Sequence, residues 1–240
     1  MSPCDAASAV TGTAVRAVVV ITLAAVLGAG TAAAGIPASR PVPAQAEAMA
    51  NASGEARHVA RWVRHSRDNG QRPYLIIDKV NATVFAFSAD GKLLDAKPAL
   101  LGIARGDATA KGIGAQSLGS IRTADRTTPA GRFIASLDRD PKGEEILWID
   151  YDAAIALHAV VKGKPAERRA ERLQSASPQD NRISFGCVNV PVGFYEAVVS
   201  PLFTGTDGLV YILPETGTAR AIFGSYDVDA NGAAEAAPPG

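Results

Sequence analysis

From Pro73 onward the apolar residues come in short runs of β-formers separated by turn residues, and this pattern constrains the fold more than any other feature of the chain. Tyr74–Asp78 and Thr83–Phe87 are two such runs, parted by residues 79–82. Runs at 92–95 and 99–103 follow a turn at Ala89-Asp90-Gly91, and Asp-Gly between β-rich runs is a hairpin signal. Strand character resumes at 132–137, 146–149 and 154–157, the last run closing at His158, and again at 208–213. The spacing predicts a mainly β fold carrying short helices.

The helical signals are few. Residues 47–69 place Ala56, Val59, Ala60, Trp62 and Val63 on one stripe and end at Asn69-Gly70, which predicts a helix leading into the β domain. His58 and His65 share a face of it, but Arg57, Arg61, Arg64 and Arg67 surround them, so this is a solvated polar face and not a metal site. Residues 104–127, with Gly106, Gly112, Gly114 and Gly119, read as a long irregular loop. A short helix is expected at 165–173 with Ala166, Ala170 and Leu173 as its apolar face, another at 192–199, and a last strand at 220–223.

The N-terminus looks like an export segment. Arg16 precedes an apolar run over 17–36, which is 20 residues, and Ala-x-Ala triplets end at Ala34 and Ala46. Cleavage there makes residues 1–34 a signal peptide; without cleavage the run is long enough for a membrane anchor. Both readings export the remainder. The expected organisation is a linker and helical lead over 35–71, a catalytic domain over 72–224, and an Ala/Pro/Gly-rich disordered tail over 225–240. In that tail Asp227-Val228-Asp229-Ala230-Asn231-Gly232 imitates a calcium loop, but the position needing a bidentate Glu is Pro238. The 24 Lys and Arg residues balance 24 Asp and Glu, which argues against a nucleic-acid partner.

Only two cysteines are present, and Cys4 precedes the apolar run. The exported part therefore carries one thiol, Cys187, with no intrachain partner in an oxidising compartment. Cys187 follows Gly186, a residue that lets the backbone approach a bound carbonyl and turn its N–H groups toward an oxyanion. A nucleophilic thiol also needs a base, and His158 is the one histidine outside the leading helix. A Cys–His pair is the expected chemistry, against the alternative of a buried structural cysteine.

Ser184-Phe185-Gly186-Cys187-Val188-Asn189, with the upstream His158, resembles the active-site motif of the L,D-transpeptidase (YkuD-like) family of bacterial cell-wall enzymes. Thr128-Pro129-Ala130-Gly131-Arg132-Phe133 is similar to that family's Thr-Pro-x-Gly-x-Phe segment. The resemblance implies a mainly β, sandwich-type mixed-sheet domain in which Cys187 is the acylated nucleophile, His158 the proton-transfer partner oriented by a backbone carbonyl, and Gly186 a contributor to the oxyanion site. It implies that Ser184 and Asn189 support the loop and the bound donor. Peptidoglycan stem peptides are the implied partners, the cell envelope or periplasm the implied location, and no metal or cofactor is required. A donor tetrapeptide would lose its terminal D-alanine to form a thioester, which a second stem's amine resolves. Water as acceptor would make a carboxypeptidase, and a non-catalytic wall-binding protein is the third alternative.

Three features depart from the family pattern. Phe185 replaces a histidine, Ala159 replaces a glycine, and Cys187 lies 29 positions after His158. The extra length carries Lys162, Lys164, Arg168, Arg169, Arg172 and Arg182 against only Glu167, Glu171 and Asp180. Arg182 and the arginines of the inserted helix are expected to attract stem carboxylates.

Overall fold

The computed structural model describes residues 44–161 and 163–228. The export segment, the first part of the linker, Lys162 and residues 229–240 of the tail lie outside the described residues. No helix among the described residues is long and apolar enough to cross a membrane.

Ten strands form the body of the fold: β1 (Tyr74–Asp78), β2 (Thr83–Phe87), β3 (Leu93–Pro98), β4 (Leu101–Gly102), β5 (Gly131–Arg139), β6 (Glu145–Asp150), β7 (Ile155–Ala159), β8 (Arg182–Ser184), β9 (Val188–Val190) and β10 (Gly208–Ile212). Eight of them make one mixed sheet in the order β3-β2-β1-β10-β5-β6-β7-β9. Its β1–β10 and β7–β9 pairs are parallel and its other pairs antiparallel. A short parallel ladder, β4–β8, is tied to this sheet through the Leu100–Asn189 bridge.

Period-two alternation divides the sheet's side chains between two cores. Leu75, Ile77, Val84, Ala86, Val210 and Ile212 face one, and Tyr74, Ile76, Phe85, Phe87, Leu209 and Tyr211 the other. Strands buried on both faces read as continuous apolar runs, as 74–77 and 209–212 do. The first core also takes in Val188 and Val190 from the far end of the strand order, so the sheet curls around it.

The second core is covered by helix. In place of one helix over 47–69 there are two, α1 (Ala44–Ala50) and α2 (Gly54–Ser66). The break falls where Ser53 caps α2, accepting the Ala56 N–H while its own N–H goes to Asp78 Oδ2 at 3.0 Å. Ala56, Val59, Trp62 and Val63 are the buried stripe, and Arg67 in the left-handed region closes the helix.

Three further expectations change. The inserted helix is a 3-10 turn over Pro165–Glu167 followed by α3 (Arg169–Gln174), with Arg168 at φ 48° between them. The second short helix runs from α4 (Val192–Phe194) through a π turn (Tyr195–Val199) into α5 (Ser200–Phe203); Pro201 has no N–H to give the Ala197 carbonyl, which disfavours regular α register there. Residues 220–223, read as a strand, belong to helix α6 (Ala219–Phe223), which Thr218 caps and Gly224 ends in the left-handed region.

The start of the tail is also ordered. Ser225 is buried and its Oγ lies 2.9 Å from His58 Nε2, while Tyr226 OH lies 3.0 Å from His65 Nδ1. Residues 225–228 therefore pack on α2 along its histidine face, where His58 is half-buried while His65 stays exposed as expected.

Candidate active site

Cys187 sits where the chain leaves the small ladder at the end of β8 and enters the large sheet at β9. Gly186 makes the crossing at φ +137°, and a Cβ there would lie 2.8 Å from Ile155 Cδ1 and 2.9 Å from the Thr127 carbonyl oxygen. Only glycine fits, for both reasons. Two buried hydroxyls brace the loop. Ser184 Oγ donates to the Cys187 carbonyl at 2.6 Å and accepts the Gly186 N–H at 3.1 Å. Thr128 Oγ1 donates to the Gly186 carbonyl at 2.8 Å and accepts the Gly102 N–H at 2.9 Å.

β7 brings His158 to the same place. It pairs in parallel with β9, and His158 is in register with Asn189, so the strand bearing the histidine lies against the strand that Cys187 opens. Nδ1 of His158 is 2.8 Å from the Ala159 carbonyl, an acceptor only, and must carry the proton. Nε2 is then free to accept, and the Asn189 Nδ2 amide approaches it at 3.3 Å. The Cys187 thiol donates to the Ala154 carbonyl at 3.6 Å. Among the described residues no hydrogen bond joins thiol and imidazole.

Burial sets the protonation of both. It pushes the half-buried His158 below the ordinary imidazole range; the Ala159 carbonyl works against it and the Arg169 charge with it. It pushes the Cys187 thiol up, opposed by the N–H groups of Ala156 and Cys187 itself. At neutral pH these shifts keep Cys187 a thiol and His158 a neutral imidazole, not a preformed ion pair.

Several expected roles change on contact with the geometry. Gly186 does not offer its N–H to an oxyanion, because Ser184 Oγ takes it. The Cys187 N–H donates to no backbone carbonyl among the described residues, so it is the donor left beside the thiol. Ser184 is 3% exposed and its hydroxyl proton is taken by the Cys187 carbonyl, so it braces the loop rather than meeting a donor. Asn189 is equally buried but stands between His158 and the insertion: its Oδ1 accepts from Arg169 Nη1 at 2.6 Å.

Arg182 does not reach out to a stem carboxylate. It is 8% exposed, its guanidinium is paired with Glu215, and it donates to the Lys79 carbonyl at 2.9 Å. Arg168 and Arg172 are likewise paired within the insertion, Arg168 with Glu171 and Arg172 with the carbonyls of Glu167 and Asp180.

Sequence reasoning missed the network around Arg182. Lys79, with no exposed side-chain surface, donates to the carbonyls of Gly106 and Thr128 and to Asp107 Oδ1, at 2.7, 2.9 and 2.9 Å. Asp107 also accepts the N–H groups of Glu215, Thr216 and Gly217. This cluster pins the segment holding Thr128, and through Thr128 the Cys187 loop. No local pattern announces it, since its members lie far apart along the chain. Phe185 packs beside the first core with the Arg126 guanidinium 4.0 Å over its ring, a cation–π contact at the position of the missing histidine. Among the described residues no group of His, Cys, Asp and Glu is placed to hold a metal ion.

No protein-family model and no curated protein matches the chain. A solved chain described as the structure of the L,D-transpeptidase LdtMt1 in complex with imipenem is similar over 59% of this chain and 58% of its own length. The identity is 13% and the TM-score 0.33. This chain thus spans little more than half of that protein, and at so low a score the likeness carries no weight for function. The functional reading stands on the residues.

Proposed function

We propose that this protein is an exported acyltransferase of the bacterial cell envelope, of L,D-transpeptidase type, with Cys187 as nucleophile and His158 as base. The observation that carries the reading is the parallel β7–β9 pairing, which sets a histidine with an unprotonated Nε2 beside the strand opened by a glycine-preceded thiol. The motif around Cys187 and the Thr128–Phe133 segment support the peptidoglycan stem as donor.

In this mechanism Cys187 Sγ attacks the donor carbonyl while its proton passes to His158 Nε2, which exchanges Asn189 Nδ2 for the thiol. The carbonyl oxygen takes the negative charge against the Cys187 N–H. As the tetrahedral species collapses, the C–N bond breaks and the imidazolium proton goes to the departing D-alanine amine, leaving a thioester. An acceptor stem's amine then attacks the thioester, gives its proton to His158, and releases the thiol.

The test is intact mass of the protein after incubation with a tetrapeptide stem. The expected result is an adduct of the stem less D-alanine, lost in Cys187→Ala and His158→Ala. Tripeptide release in the presence of an acceptor stem, without cross-linked dimer, would assign the water-resolved reaction instead. No adduct from folded protein would leave a wall-binding role.

A further inference from the structure

Asn189 links two charged or titrating groups, and its orientation follows from their chemistry. Arg169 is a donor only, so the atom it meets at 2.6 Å must be the amide oxygen. The NH2 group therefore faces His158, whose Nε2 accepts at 3.3 Å because Nδ1 carries the proton and donates to the Ala159 carbonyl. The arginine itself is held from behind, its Nε donating to Glu167 at 2.6 Å, and its side chain is only 12% exposed. Among the insertion's arginines described, Arg169 is the one that reaches Asn189.

We propose that Arg169 is a positioning residue for the reaction. By fixing the flip of the Asn189 amide, it holds His158 with Nε2 as the acceptor and sets the pH above which the imidazole can receive the thiol proton. This rests on the Cys187–His158 reading for its catalytic meaning, though not for its geometry. The groups that act on the imidazole are the Ala159 carbonyl, Asn189, Arg169 with its partner Glu167, and Asp140, whose charge acts opposite to that of Arg169. Asn189 Nδ2 also donates to the Cys187 carbonyl, but at 3.4 Å against 2.6 Å for the Arg169 contact. Freed from Arg169, the amide gives up only that long bond when it turns its oxygen to the ring to accept from an Nε2–H. That arrangement favours the other tautomer or the imidazolium, and either removes the base.

The experiment compares wild type, Arg169→Gln, Arg169→Lys and Arg168→Gln. The readouts are the His158 side-chain nitrogen shifts across pH by NMR, the pH dependence of Cys187 alkylation by iodoacetamide, and D-alanine release from a tetrapeptide. Arg169→Gln is expected to raise the His158 midpoint, to populate the Nε2–H tautomer, and to lower kcat at neutral pH by on the order of tenfold with KM unchanged. Arg169→Lys, which still donates to Asn189 Oδ1, should restore most of each. Arg168→Gln removes a charge from the same segment without touching Asn189, and should leave the midpoint in place.

An unmoved midpoint and tautomer in folded Arg169→Gln would overturn the proposal, as would an equal shift in Arg168→Gln. The NMR readout needs no substrate. A wild type that forms no thioester would therefore defeat the acyltransferase reading while leaving the His158 titration to decide the role of Arg169.

Discussion

Thr128 carries a single hydroxyl that satisfies two buried backbone groups, one on β4 and one in the Cys187 loop, and replacing it by Val measures what that loop depends on. The Val side chain fills the same space but neither accepts the Gly102 N–H nor donates to the Gly186 carbonyl, held at 2.9 and 2.8 Å in the structure. Thr128 is fully buried, so water cannot replace either bond without an opening of the interior. Each unpaired buried group costs about 1–3 kcal/mol, so the substitution should destabilise by roughly 2–6 kcal/mol. For a chain of this size that corresponds to a fall in Tm of about 10 °C. Thr128→Ser keeps the hydroxyl and should stay within about 1 kcal/mol of wild type. Urea unfolding of the three proteins gives the difference, and Cys187 alkylation under native conditions reports whether the loop has loosened. A Val variant as stable as the Ser variant, with alkylation unchanged, would refute the view that this hydroxyl holds the nucleophile in place.

Arg182→Met takes from the buried Glu215 carboxylate its nearest cation, leaving Arg105 at 3.7 Å and Lys79 at 4.0 Å, and should cost about 1.5–3 kcal/mol in urea unfolding. Burial pushes the Asp107 carboxyl up, but the Thr216 hydroxyl, the Glu215 and Thr216 amides and Lys79 together outweigh it and hold the group well below the ordinary carboxylate range. Its contribution to stability is therefore present above the unfolded carboxyl range, near pH 4, and is lost as pH falls below that; Asp107→Asn should flatten the acid side of a Tm-against-pH curve. With Cys187 raised and His158 lowered, alkylation of Cys187 should be slower than that of a free thiol at neutral pH and should climb above the ordinary thiol range, while D-alanine release should hold as pH falls to about 6.5 and decline only below it. A release profile that already declines between about pH 8 and 7 would contradict the lowered imidazole.

The strands that could be read from sequence are those whose neighbours bury both faces, because there the apolar run is continuous and needs no partner to be seen. β1, β2 and β10 are of this kind. β8 and β9 are three residues each and owe their extended form to β4 and β7, so nothing local announces them. Ala219–Phe223 misled by its β-tolerant Ile-Phe ending, although Thr218 before it and Gly224 after it are helix boundary residues. At the candidate site, Cys187 and His158 stood out because the sequence offers so few cysteines and histidines. Arg182 did not, because its partner Glu215 lies 33 residues away and a charge on a short strand looks the same whether it faces solvent or an interior carboxylate. Arg169 stood among six basic residues, and only the fold shows which of them meets Asn189.

The packing of Ser225–Val228 on α2 bears on how the protein can be divided. The segment that holds every motif, 72–224, excludes both α2 and the residues that close over it. Cut there, it would present Tyr74, Ile76, Leu209 and Tyr211 to water as a bare apolar face, with Trp62, Val59 and Val63 no longer there to cover it. A fragment made for expression has to begin before the Ser53 cap and end after Val228, since the two flanks that look dispensable in the sequence form one lid over the far side of the sheet.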